Sequence, residues 1–201
     1  MQKEDFISLL DSLCEASILY AKLQFEAGVD ALQVFDSWTH HLQEQEFAPY
    51  ALAYWKRFIE AFPDKPLIFF SRTNSAYPLQ IASIGPTSIS FDEKVPLQEL
   101  RTLVPKNIAV QGNFSPVILR DAPADVVFLE ALSMAQSVQK ENGVIFNLGH
   151  GVLPLTPLEN VHAFLEGLYD PYAHQLAEGG REQRMASGFP REEKPNFVPR
   201  S

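Results

Sequence analysis

Phe146-Asn147-Leu148-Gly149-His150-Gly151-Val152-Leu153-Pro154 is the stretch that decides the fold. The apolar run at 143–146 has the length and composition of a buried strand. It breaks into a polar cluster that sets an imidazole between two glycines. Glycines on both sides leave the backbone uncrowded. His150 can then stand at the mouth of a sheet or barrel and offer a ligand a hydrogen bond or a proton. The plainer alternative is a buried histidine bonded to backbone. A second strand end of the same character is Val34-Phe35-Asp36-Ser37-Trp38. Two such ends predict an α/β enzyme with its site at one face of the sheet.

Outward from these ends the pattern alternates. Phe6, Leu9, Leu10, Leu13, Ile18 and Leu19, with Gly28 beyond, predict an amphipathic helix over 5–27. Strands are predicted at 31–35, 66–70, 88–91, 107–111 and 144–147. Helices are predicted at 46–62, 74–82, 95–104, 122–141 and 157–177. Thr156 is the expected N-cap of the last, with Glu159 at capping-box spacing. The strands are short and apolar with little alternation, which predicts cover on both faces. Regular βα alternation predicts a parallel sheet, open or closed into a barrel.

Composition narrows the classes. The chain has 201 residues, 46% hydrophobic and 20% charged, enough for a sizeable core. No apolar run is long enough to span a membrane. The charged start Met1-Gln2-Lys3-Glu4-Asp5 predicts no secretory leader. One cysteine, Cys14, excludes a disulfide framework and a multi-cysteine metal site, and it reads as an inert buried thiol. A net charge of −9 argues against a nucleic-acid partner. From Gly179 to Ser201 five basic residues face three acidic ones, which leaves a body of −11. That segment lacks periodicity, so 179–201 is predicted to be a disordered polar tail behind a body at 1–178.

Chemistry is sought at the C-terminal ends of the strands, where α/β sheets and barrels place their sites. The polar residues there are Asp36, Ser37, Ser71, Arg72, Asp92, Gln111, Asn113, Asn147 and His150. Ser37 could donate to an anionic ligand or cap the following segment. Asp36 reads as a loop-ordering carboxylate and Trp38 as packing. Gly112 allows either a close backbone approach or a tight turn. His40, His41, His162 and His174 show no ligand spacing, and adjacent His40 and His41 are expected to point different ways. No dinucleotide fingerprint, phosphate loop or nucleophile elbow is present.

Three blocks carry a resemblance. They are Ala27-Gly28-Val29-Asp30-Ala31-Leu32-Gln33-Val34-Phe35-Asp36-Ser37-Trp38, then Gln111-Gly112-Asn113-Phe114-Ser115-Pro116, then Asn147 to Pro154 with Thr156-Pro157 and Glu159-Asn160-Val161. In this order they resemble the uroporphyrinogen decarboxylases over about residues 2–176. The resemblance implies a (β/α)8 TIM barrel of which this sequence carries a partial set, about five parallel strands from the C-terminal portion. It implies removal of the acetate carboxylates of uroporphyrinogen III to give coproporphyrinogen III in haem biosynthesis. It implies no metal and no organic cofactor, and a cytoplasmic homodimer. Ser37 and His150 would contact substrate, His150 would be catalytic, and Phe35 would line the cleft.

A full eight-stranded barrel takes about 250 residues. The family's Met-Arg-Gln-Ala-Gly-Arg motif, its essential aspartate and its substrate-contacting tyrosine are not in this sequence. Ser115 stands where the family usually has an aspartate. The expectation is a chain that is inactive alone. A related methyltransferase would need a zinc site with thiolate ligands, but Cys14 falls in the first predicted helix. The third reading is a non-enzymatic half-barrel that pairs with a partner through exposed strand edges.

Overall fold

The computed structural model describes residues 3–169. The tail predicted at 179–201, and the end of the helix predicted at 157–177, lie outside the described residues. Strands β1 (Leu32–Phe35), β2 (Leu67–Phe70), β3 (Ser88–Ser90), β4 (Ala109–Phe114) and β5 (Val144–Leu148) form one parallel sheet in chain order. Around it lie α1 (Lys3–Glu26), α2 (Glu44–Phe47), α3 (Ala53–Glu60), α4 (Pro78–Ser83), α5 (Leu97–Leu103), α6 (Pro116–Asp121), α7 (Ala124–Ser137) and α8 (Leu158–Tyr169). Among the described residues no helix is long and apolar enough to cross a membrane.

The register sorts the sheet into two unlike faces. Val34, Leu67, Phe69, Ile89, Val110, Val144 and Phe146 look toward the helices and join the main core with Phe47, Trp55, Phe58, Ile81 and Leu100. Gln33, Phe35, Ile68, Phe70, Ser88, Ser90, Gln111 and Ile145 share the other face. There Gln111 Nε2 donates to Gln33 Oε1 at 3.1 Å and to Ser90 Oγ at 3.0 Å. On a flat sheet β1 and β4 would stand about 14 Å apart, at roughly 4.8 Å per strand. Two glutamine side chains bridge that span only if the sheet curls, with this polar face inside the curve.

Cover on both faces is therefore half right. The helix face is sealed, whereas on the inner face Phe70, Ser88, Ser90 and Gln111 are buried but Phe35, at one edge, is 68% exposed and Ile145, at the other, 42%. The inner face alternates polar residues with apolar ones, so it never presents a continuous apolar surface for a second helix layer to bury. The outer edges of β1 and β5 have no strand partner among the described residues.

Several boundaries move for local reasons. The helix predicted at 46–62 begins at Glu44, because Gln43 and Glu46 form a reciprocal capping box. Its middle, Ala48–Leu52, widens into a π-turn around Pro49, whose ring removes one hydrogen-bond donor. The helix predicted at 122–141 is two helices. Ser115 caps α6 by accepting from the Ile118 N–H at 3.3 Å, and Pro123 leads into α7. Thr156 does not cap α8 as expected. Its hydroxyl donates back to the Leu153 carbonyl at 2.7 Å, and the amides of Asn160 and Val161 reach the Pro157 carbonyl. A second cluster, with Phe114, Leu119, Val127, Ala131, Leu148 and Phe164, fastens α6, α7 and α8 to the ends of β4 and β5.

Candidate functional site

Parallel strands place all their C-terminal ends on one rim. Ser37 follows β1 and His150 follows β5, so both lie on this rim at opposite ends of the strand order. They share no hydrogen bond with each other. Phe35 ends β1 on the inner, concave face and packs on Phe70 at 5.7 Å between ring centroids.

His150 is half-buried. Its Nδ1 lies 2.9 Å from the Gly151 carbonyl. A carbonyl only accepts, so Nδ1 carries a proton and donates. Nε2 is left toward the rim, 3.9 Å from Glu93 Oε1. The two flanking glycines differ in purpose. A Cβ at Gly149 would lie 2.6 Å from the Glu93 amide nitrogen, so Gly149 lets the loop after β3 close against β5. A Cβ at Gly151 would meet nothing within 4 Å. Gly151 keeps an ordinary φ, so neither space nor backbone conformation calls for a glycine there.

Gln111-Gly112-Asn113 was expected at a strand end, but β4 runs through it. A Cβ at Gly112 would lie 2.8 Å from the Phe91 carbonyl oxygen, and its φ is +130°. The close-approach alternative is the one the chain uses. Asn113 Nδ2 donates to the carbonyls of Asp92 at 2.8 Å and Val95 at 2.6 Å. Asp92 accepts from the Ser75 hydroxyl at 2.7 Å, the Ser75 amide at 3.1 Å and the Lys94 amide at 3.2 Å. Asn74 donates to the carbonyls of Phe69 and Ser90 and accepts from Ser71. These buried groups spend their bonds on holding the rim loops together.

Asp36 orders its loop, as expected. Its carboxylate accepts from Trp55 Nε1 at 2.9 Å and its carbonyl from the Thr39 hydroxyl at 3.1 Å. Burial pushes the Asp36 carboxyl above its ordinary value, and the Trp55 hydrogen bond offsets part of this. A raised folded-state pKa means the ionised form costs stability above that pKa, and the cost fades as pH falls through it. Asp36→Asn keeps an acceptor for Trp55 and sheds the charge, so at pH 7 it should be at least as stable as the native chain. Asp36→Ala strands the indole N–H of Trp55, which is 4% exposed, and should lose about 1–3 kcal/mol. Urea denaturation of the two variants checks the order.

Trp38 is not packing. It is 68% exposed and stacks on His41 at 5.7 Å, with an interplanar angle of 7°. The His40 and His41 rings do not point apart but meet at 4.0 Å. The three-residue turn Thr39–His41 is a 3₁₀ helix, and His40 Nδ1 binds the Ser37 carbonyl at 2.9 Å, which folds both rings back over the rim. The Arg72 guanidinium lies 5.8 Å over the Trp38 ring. Lys94 Nζ donates to the Arg72 carbonyl at 2.9 Å. Sequence reading passed over Gln33 and Lys94. Gln33 sits in an apolar strand, and Lys94 follows a short strand by several residues, so neither carries a motif.

The rim thus offers a hydroxyl, three imidazoles, two cations and an exposed indole around a concave face of mixed polar and apolar residues. A family model described as uroporphyrinogen decarboxylase matches residues 1–170 of this chain. The chain belongs to the uroporphyrinogen decarboxylase family. The family's curated members include the uroporphyrinogen decarboxylase of Protochlamydia amoebophila, 34% identical over 82% of this chain and 45% of the relative. That of Syntrophotalea carbinolica is 37% identical over 81% of this chain and 47% of the relative. The chain therefore spans about half the length of the curated relatives it matches. Among solved structures, a methyltransferase from Methanosarcina mazei superposes with a TM-score of 0.69 over 79% of this chain and 47% of its own, at 24% identity. At that identity the likeness speaks for the fold alone.

Proposed function

We propose that the chain supplies one wall of a uroporphyrinogen decarboxylase site, converting the acetate side chains of uroporphyrinogen III to the methyl groups of coproporphyrinogen III. The observation that carries this reading is the placement of Ser37 and His150 on one rim of a curled sheet in a family member. Each step adds a proton to the pyrrole ring, and the ring cation accepts the electron pair of the breaking C–C bond as CO₂ leaves. A second proton on the exocyclic methylene gives the methyl group, and the ring gives its first proton back. In this reading His150 first takes a second proton at Nε2 and, as an imidazolium, donates a hydrogen bond to a carboxylate from there, the Ser37 hydroxyl donates to another, and Phe35 lies against the macrocycle edge. Arg72 and Lys94 add positive charge where a polycarboxylate arrives.

The open edges of β1 and β5 favour completion of the barrel by the portion of the relatives outside the match, in the same polypeptide or as a second chain. A partner-binding wall without catalysis of its own is the competing reading on the same observation. An anaerobic assay with chromatography of the oxidised porphyrins separates them. The chain alone should stay at background, and the chain joined to that portion, or mixed with it as a second polypeptide, should produce coproporphyrin. Full turnover by the chain alone, or a stable complex without turnover, contradicts the proposal.

A further inference from the structure

Among the described residues, Arg72 is the one arginine whose guanidinium meets no oxygen. Arg57 holds Asp11 and Glu15, Arg120 holds Asp121, and Arg101 holds three backbone carbonyls. In a chain of net charge −9 carboxylates are plentiful, yet no described one reaches Arg72. Its guanidinium rests instead on the Trp38 ring, 5.8 Å from the centroid. Both partners are exposed, and both are held from behind. The hydroxyl of Thr39, next after Trp38, lies 3.3 Å from that of Thr73, next after Arg72. His41 stacks on Trp38 with 7° between the planes, and Lys94 Nζ donates to the Arg72 carbonyl at 2.9 Å. The loop after β2 is thus tied to the loops after β1 and β3, all from this chain. A guanidinium on an aromatic face keeps its planar fork of donors free for a ligand.

We infer that Arg72, steadied on Trp38, grips a carboxylate that the reaction leaves in place. The inference rests on the proposed decarboxylation. Each pyrrole of uroporphyrinogen III carries an acetate, which loses its carboxylate, and a propionate, which stays. A guanidinium fork pairs best with a full carboxylate charge. On a reacting acetate that charge drains into the ring as CO₂ leaves. A fork placed there would hold the ground state more tightly than the transition state and slow the step. On a propionate the charge is the same before, during and after. Arg72 therefore binds substrate and product alike, and Trp38 is a positioning residue that acts through it.

The chain completed by the rest of the barrel tests this, with coproporphyrinogen III, the product, as the binding probe. Arg72→Met should raise the Kd of coproporphyrinogen III and the KM of uroporphyrinogen III by about the same factor, roughly 10–100-fold, with kcat unchanged. Arg72→Lys should recover part of the affinity, since it keeps the charge and loses the fork. Trp38→Leu should weaken binding by about threefold, and should add nothing in the Arg72→Met background. The melting temperature of Arg72→Met should hold, because the guanidinium touches only the Trp38 ring among the described residues. A native completed protein that makes no coproporphyrinogen overturns the reaction and this inference together. If the native protein turns over while Arg72→Met binds product at native strength, or loses kcat at unchanged KM, the grip alone is overturned. A large fall in melting temperature at native affinity does the same, and means that the completing portion supplies a carboxylate to Arg72.

Discussion

His150→Ala, assayed in the chain completed by the rest of the barrel, should lower kcat by about 10²–10³-fold, the usual cost of losing a positioned acid–base group. The fold should not notice. The imidazole is half-buried, and among the described residues its one hydrogen bond is to the adjacent Gly151 carbonyl. Its Nε2 stands 3.9 Å from Glu93, too far for a hydrogen bond. A fall in activity with an unchanged melting temperature therefore assigns the loss to chemistry. An unchanged kcat would return His150 to a packing role. Ser37→Ala should act mainly on KM, since a lost hydrogen bond to a substrate carboxylate is worth about 1.5–3 kcal/mol.

Arg101→Met should be the most destabilising of the single changes considered. Arg101 is 1% exposed, and no carboxylate meets it among the described residues. Its guanidinium donates to the carbonyls of Ile108 at 2.7 Å, Val104 at 2.6 Å and Pro105 at 2.8 Å. It thereby ties the end of α5, where unsatisfied carbonyls gather negative partial charge, to the loop that enters β4. A methionine fills similar space but takes the guanidinium from the buried Ile108 and Val104 carbonyls, while Pro105 keeps the Ile108 amide at 3.0 Å, at a cost on the order of 4 kcal/mol. Lysine should recover only part, because it lacks the planar fork. Chemical denaturation of both variants measures this, and a loss under about 1 kcal/mol for methionine would refute it.

The same arginine shows where sequence reading stops. In the pattern Leu97-Gln98-Glu99-Leu100-Arg101-Thr102-Leu103 a charged residue after an apolar one reads as solvated surface, and nothing local says that three carbonyls converge on it. β1, β2 and β5 were legible because each opens as a short apolar run between turn residues, and the helix-facing half of the sheet is what those runs encode. The inner face was not, because Gln33, Ser90 and Gln111 gain meaning only when curvature brings β1 near β4. His150 and Ser37 could be singled out by glycine context and strand-end position. Gly149 could not, since its reason is the Glu93 loop, distant in sequence. His40 and His41 were misread because a 3₁₀ turn of one residue triplet brings adjacent rings together, where a helix or strand would spread them.

The most direct measurement is the structure of the completed protein with bound coproporphyrinogen. The account predicts the macrocycle over the concave face of β1–β5, with propionate or reacting-carbon contacts from the Ser37 hydroxyl and His150 Nε2 at about 3 Å. A tetrapyrrole held on the helix side, at the opposite rim, or by the rest of the barrel alone would contradict it.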